Sequence, residues 1–399
     1  MSTPATRVRL ACAAVGLAAI LVVTAGRATR AATAVKITAG GGHTCAITSD
    51  DRVECWGANT HGQLGNGSTI NSPSPVEVPD LGGDVGSVAA GGAHTCALTS
   101  GGAVKCWGYN GYGQLGDGST IDRLTPVDVV GLTTGVSSIS AGSEHTCAVL
   151  SSGGVKCWGD NSSGKLGDGT RTRRVTPVDV AGLSDAVAVA AGDNHTCALT
   201  GSGGVKCWGD NSDGQLADAD DTDMEHSTPV DVAGLTGVIT AVAAGSNHTC
   251  ALTATGGVTC WGLIGLVGNG VPHPPKGPDT TGPVDVFGLT RGVVSLDVSG
   301  GHSCAVTDVG LVGCWGDGSY GQLGDGTATI AYAPVYARNE RAAVAVSTGG
   351  AHTCIVTVDG GGRVLGKQPE RPVGRRGADQ YHASRRCRFV LWRECHRRG

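Results

Sequence analysis

Large side chains are scarce in this sequence. Its 399 residues include two Phe and two Met, aromatics make up 4% and charged residues 16%. So few big side chains leave little for a conventional core to pack, and other links between elements are expected. The low charge excludes a charged disordered chain, and apolar residues at 40%, spread evenly, exclude a coiled coil. Long apolar runs are also missing. Leu10 to Ala25 spans 16 residues, short of the ~20 that a membrane helix needs, and no other stretch is long enough. Residues 35–362 are poor in bases, with 14 Lys+Arg against 31 Asp+Glu, a net −17. Such an acidic body repels phosphate backbones, so no nucleic acid partner is expected for it.

The two ends have a different character. Residues 1–34 carry four Arg and no acid. Arg7 and Arg9 precede the apolar run, and small residues lead to Ala32-Thr33-Ala34. This is the layout of a signal peptide cleaved after Ala34, and it predicts a secreted, extracellular or cell-envelope protein with no membrane span in the mature chain. Cys12 precedes the apolar core, whereas a lipid-attachment cysteine should follow it, so it reads as part of the leader.

What is abundant is glycine, 68 residues, together with 16 cysteines at regular spacing. Both belong to an internal repeat. The second copy reads GGAHTCALTSGGAVKCWGYNGYGQLGDGST over 91–120, followed by TPVDVVGL. Its histidine recurs at His43, His94, His145, His195, His248, His302 and His352, every 50 to 54 residues. HTCAL and VKCWG are short β-rich runs joined by glycine turns, a hairpin pattern. PVDV and the Val/Ile/Ala segment before each histidine supply two more strands. Four short strands in each of seven units of about 50 residues predict an all-β, seven-bladed β-propeller over 35–362.

The consensus GxxHTxAL…GxVxxWGxNxxGQLGxG resembles the regulator of chromosome condensation (RCC1) repeat across 35–357. Six copies keep the Trp-Gly pair, at Trp56, Trp107, Trp158, Trp208, Trp261 and Trp315. The resemblance implies a ring of seven blades. It also brings family activities to weigh. The founding member exchanges guanine nucleotide on a nuclear GTPase, which an exported chain would not meet unless its leader were misread. A plant ultraviolet sensor of the family uses tryptophans in GWxHT segments, and here those positions carry none. Bacterial relatives include secreted propellers, one of them an inhibitor of β-lactamase that lacks such paired cysteines.

The cysteines recur as C-x9-C pairs: Cys45 with Cys55, Cys96 with Cys106, Cys147 with Cys157, Cys197 with Cys207, Cys250 with Cys260 and Cys304 with Cys314. Facing positions on antiparallel neighbours come close enough for a disulfide, so six cross-strand bridges are expected. Zinc held by His94, Cys96 and Cys106 is the competing reading. It lacks a C-x2-C knuckle, and export favours oxidation, so neither a metal nor any other cofactor is expected. A histidine present in every unit serves the repeat, its ring expected to tie a turn to a neighbouring backbone. The GQLGDG stretches lack the Lys-Ser/Thr and helix of a phosphate loop and read as turns.

Four features break the repeat. Asp218, Asp220, Asp221, Asp223 and Glu225 form an acidic insertion without an EF-hand pattern, expected as a solvated loop. After Trp261, LIGLVGNGVPHPPKGPDT replaces the usual turn, so Leu263, Ile264, Leu266 and Val267 are candidates for local packing or an apolar partner-binding patch. Glu144, Asp193, Asp317 and Arg291 are charges specific to single units and form no acid–base pair by spacing. The seventh unit begins normally and then fails: Val364 stands where the partner of Cys354 belongs, and no Trp-Gly follows. Residues 363–399 hold 11 Lys+Arg, ten of them Arg, against three acids. A lost reading frame or equivalent sequence error, or else a basic tail that binds nucleic acid or an anionic surface, accounts for that shift. This predicts an incomplete last blade, a poorly ordered 363–399, and Cys354, Cys387 and Cys395 left unpaired or mispaired. The ring is still expected to close, with Val35–Thr38 near 344–357.

The functional expectation is a monomeric interaction scaffold that binds an unknown protein through one face of the ring, without catalysis. The alternatives are an extracellular enzyme acting on polysaccharide and an intracellular nucleotide-exchange regulator.

Overall fold

The computed structural model describes residues 34–366, apart from 83, 219–222, 273–279, 339 and 341. The leader with Cys12, the insertion residues Asp220 and Asp221, and the tail beyond Gly366 with Cys387 and Cys395 lie outside the described residues. Each repeat folds as an antiparallel meander. In the second blade the strands are Val85–Ala90, His94–Thr99, Val104–Gly108 and Arg123–Asp128. Thr95 pairs with Trp107, Cys96 with Cys106 and Leu98 with Val104, the register expected from alternation. Among the described residues six sheets have four strands and the seventh has three, each built from consecutive strands. The seven sheets form a propeller, with almost no helix.

The innermost strands line a central channel of about 420 Å³ bordered mostly by small and aliphatic residues, with Asp193 and Asp297 among them. The apolar core lies between blades rather than within them. Leu64 and Ile47 of the first blade pack with Trp107 and Ala97 of the second, and matching clusters join each later blade up to the seventh. Five tryptophans, Trp107, Trp158, Trp208, Trp261 and Trp315, are completely buried there. Each lies over the residue after the turn leucine of the preceding blade. A Cβ on Gly65 would come within 2.7 Å of Trp107 Nε1, and one on Gly116 within 2.8 Å of Trp158 Nε1. Both glycines have φ near +70°, so backbone conformation and close approach require glycine together.

The seventh blade corrects the expected break point. Gly362–Gly366 forms a third strand, pairing Cys354 with Val364, Thr353 with Leu365 and His352 with Gly366. Leu365 fills the tryptophan position, packed in the cluster with Leu323 and Ile355, and Gly366 keeps the positive φ of its counterparts. Arg363 pairs at 2.6 Å with the buried Glu340. The repeat therefore runs to Gly366 rather than stopping at 362.

Closure differs from a shared sheet. Ala34–Ala39 pairs with its own blade and packs beside Ala343–Thr348 and His352–Thr357. The contacts are polar: Ala39 N donates to Ser347 Oγ at 3.0 Å and Gly350 N to Gly40 O at 3.1 Å.

Candidate interaction face

The seven histidines form one circuit. Each ring Nε2 bonds the hydroxyl of the next blade: His43 to Thr95, His94 to Thr146, His145 to Thr196, His195 to Thr249, His248 to Ser303 and His302 to Thr353, at 2.7–2.9 Å. His352 reaches Thr44 at 2.9 Å and completes the ring. The partner is thus a side-chain hydroxyl of the neighbouring blade, not a backbone group. Thr95 Oγ1 donates in turn to the Gln63 carbonyl at 2.9 Å, which also receives Trp107 Nε1 at 3.0 Å. The hydroxyl must then accept from histidine, so the ring carries its proton on Nε2. Burial lowers His43, His248 and His302 to about 3 and His94, His195 and His352 to about 4. His145 is lowered well below the usual range, first by burial and then by Lys165. These neutral rings, each bonded through Nε2 while Nδ1 of six of them is buried without a partner among the described residues, are clasps between blades.

The cysteine pairs are also structural. Cys45 bonds Cys55, Cys96 bonds Cys106 and Cys147 bonds Cys157. In the next three blades Cys197 bonds Cys207, Cys250 bonds Cys260 and Cys304 bonds Cys314. Each bridge joins the second and third strands of one blade, with Cα atoms 4.1 Å apart, and all twelve side chains are completely buried. Cys55, Cys106, Cys157, Cys207, Cys260 and Cys314 each precede the blade's tryptophan, so they belong to the packed body and not to any exposed face. Cys354 is free, and burial pushes its thiol up to about 12.

The irregular residues sort onto two ends of the ring. The loops before each histidine strand and those after each Trp-Gly emerge at one end. Glu144, Asp193 and Asp317 sit there, whereas Arg291 lies in a loop at the opposite end. Asp317 is used locally, accepting from Ser319 and from Gln322 Nε2. Of the acidic insertion, Asp218 is taken up by Asn211 and His226, its side chain 8% exposed, and Glu225 pairs with Arg171 at 2.9 Å. Asp218 is therefore not solvated. It repeats the inward role of Asp117 and Asp168, which receive Asn110 and Asn161.

The fifth-blade candidates also change status. Ile264–Leu266 is a short 3-10 turn, and Val267 is completely buried in the turn-leucine position. This removes Val267 from any surface patch, while Leu263, Ile264 and Leu266 are half-buried. The shortened turn has a cost: Trp315 Nε1 is buried without a partner among the described residues.

Several residues at the loop end escaped sequence reasoning. Lys165 replaces the turn glutamine and is 1% exposed, its ammonium reaching Asp160 at 2.8 Å, Asn194 Oδ1 at 3.0 Å and Asp193 O at 3.1 Å. Tyr109 and Tyr112 meet edge to face at 6.1 Å, and Arg173 lies 5.0 Å over Tyr112. The detectable signal was departure from consensus: GKLG for GQLG, Tyr109 where the neighbouring units have Ala58 or Asp160, and Tyr112 where they have His61 or Ser163. Burial pushes the carboxyls of Glu144 and Asp193 above their ordinary range.

Models of the regulator of chromosome condensation (RCC1) repeat match five segments from 34–63 to 239–263 and four from 50–98 to 310–356. The chain belongs to the RCC1 repeat family. It is 33% identical over 300 residues to the ultraviolet-B receptor UVR8 of Arabidopsis thaliana, covering 73% of this chain and 67% of that protein. The X-linked retinitis pigmentosa GTPase regulator of Canis lupus familiaris is 37% identical over 338 residues, 80% of this chain but 32% of that protein. Among solved structures, yeast RCC1 (Prp20) bound to Kap60 superimposes with a TM-score of 0.73 at 23% identity, covering 85% and 81% of the two chains. An RCC1-type propeller supports a protein-interaction or regulator role. Among the described residues no helix is long and apolar enough to cross a membrane, and no cluster of three or more His, Cys, Asp or Glu could hold a metal.

Proposed function

We propose that this RCC1-repeat protein is exported, to the medium or the cell envelope, and acts there as a monomeric, non-catalytic scaffold that binds another protein through the loop end of its ring. The observation that carries the reading is the contrast between a uniform body and that end. Clasps, bridges and tryptophans repeat around the ring, while Tyr109, Tyr112, Glu144, Lys165, Arg173 and Asp193 depart from the repeat together. Loops on a rigid scaffold are where recognition residues concentrate. A standard interface buries about 1,600 Å² in total, within reach of a ring of this size. Yeast Prp20, bound to Kap60 in its structure, offers a precedent for partner binding by the fold. Export is supported by the leader-like 1–34 and by six buried cysteine pairs at bonding distance.

The test places a photo-reactive side chain at Ile121, 64% exposed at the loop end, or at Val309, 71% exposed at the opposite end. Cross-linking of one partner from culture supernatant or envelope at Ile121 alone is expected. Equal capture at both ends, or capture at Val309 alone, refutes the assignment of the face. Amino-terminal sequencing and thiol counting on the exported chain test location: cleavage near Ala34 and twelve protected body cysteines are expected.

A further inference from the structure

We propose that the loop end of the second and third blades holds a receptor site for one arginine of the partner protein, formed by Glu144 and Tyr109. The proposal rests on the reading that the ring binds a protein through this end, and it names the chemistry of the contact.

The argument comes from comparing equivalent positions one blade apart. Between the third and fourth blades, Lys165 satisfies Asp160 and Asn194. One repeat earlier, Gln114 stands for Lys165, Tyr109 for Asp160 and Glu144 for Asn194. Here the internal contacts fail. Gln114 is completely buried, and its Oε1 accepts from Tyr112 N at 3.0 Å, yet its Nε2 has no partner among the described residues. In two other blades the same amide is satisfied, Gln215 Nε2 by Asp210 at 2.8 Å and Gln322 Nε2 by Asp317 at 3.1 Å. Tyr109 removes that carboxylate. Glu144 lies alongside: a Cβ on Gly159 would stand 2.6 Å from Glu144 O and 3.3 Å from Gln114 Cα. The half-buried Glu144 carboxylate makes neither a hydrogen bond nor an ion pair among the described residues, and Lys165 and Arg173 act on it only at longer range. A buried donor is left without a partner, and a carboxylate on the adjoining backbone is left unpaired.

The aromatic wall indicates what completes that carboxylate. Arg173 is already held by the Tyr112 ring and donates to Gly111 O at 3.1 Å. His61 meets Tyr109 edge on at 4.7 Å and bonds Asp122 at 2.9 Å, which braces the ring. A planar guanidinium can stack on Tyr109 and give paired donors to Glu144. A lysine offers the charge without the plane. The net −17 of residues 35–362 draws a basic segment toward the ring before contact.

The full chain labelled with 3-fluorotyrosine tests this by fluorine NMR, with Tyr109→Phe assigning its resonance. Titration with acetyl-Gly-Arg-Gly-amide should move the Tyr109 and Tyr112 resonances saturably and leave Tyr320, Tyr332 and Tyr336 in place. The citrulline counterpart should move none, and Glu144→Gln should weaken binding at least tenfold with the other tyrosine signals unchanged. No saturable movement, equal movement with citrulline, or an unchanged Glu144→Gln response would overturn the site. If it fails while a partner still cross-links through Ile121, only this contact falls and the wider reading stands.

Discussion

Thr146 carries one station of the clasp circuit, accepting from His94 and donating to the Gln114 carbonyl. Replacing it by the isosteric valine keeps the packing and strands the His94 donor. Thr146→Val should therefore cost about 1–3 kcal/mol in denaturant unfolding, while Thr146→Ser, the arrangement found at Ser303, should cost much less. A loss no larger for valine than for serine would deny the clasp its role. Ala217 shows the opposite case. It occupies the turn position held by glycine in most other blades, at φ 48° beside the buried Trp261. A left-handed conformation costs a residue with a Cβ about 1–2 kcal/mol, so Ala217→Gly should raise stability by roughly 1 kcal/mol less its own unfolded-state entropy. Thermal unfolding of the variant checks the sign.

At the scale of strands, the last hairpin is the informative one. His352–Thr357 and Gly362–Gly366 keep the register of the other blades, and Cys354 faces Val364 as Cys96 faces Cys106. Val364→Cys should then supply a seventh bridge, worth up to about 3 kcal/mol on chain-entropy grounds. Mass analysis before and after reduction reads the bond, and persistence of two free thiols at 354 and 364 would contradict the register. Because burial pushes the Cys354 thiol up to about 12, the bond is expected to form during folding and not in the finished ring. Reading the strand from sequence failed here because Leu365 replaces the tryptophan that marked the other six copies. An apolar side chain of sufficient size serves that position, and the pattern search required the indole.

For the whole molecule, the circuit of neutral histidines makes stability depend on pH in a definite direction. Folded, the rings titrate near 3 to 4; unfolded, near 6.5. Their stabilisation is complete above pH 6.5 and falls as pH drops toward 4, because the unfolded chain takes up protons that the folded ring refuses. At pH 5 the loss is on the order of 2 kcal/mol for each of these six rings, together a large share of the ~5–15 kcal/mol a protein typically has. Asp297, raised by burial against its bonds from Ser347 and Thr348, opposes the trend, as do Asp193 and Glu144. Unfolding midpoints between pH 7 and 4.5 should fall steeply, and a flat profile would contradict the buried circuit. Opening should begin between the seventh and first blades. Among the described residues that seam is joined by polar contacts, while apolar clusters join the other blades.

The amino-acid order alone determined the repeat, the number of blades, the hairpin register and the cysteine partners. All of these follow from spacing and alternation, and each is local to about fifty residues. The clasps between His43 and Thr95, the stacking of Trp107 on Gly65, and the closing pair of His352 and Thr44 were decided by the ring. They join one repeat to the next or the last to the first, and a linear pattern carries no distance across that gap. The same holds for the loop end. Gln114 and Glu144 are thirty residues apart in the sequence, and only the packing of one blade on the next brings their backbones together at Gly159.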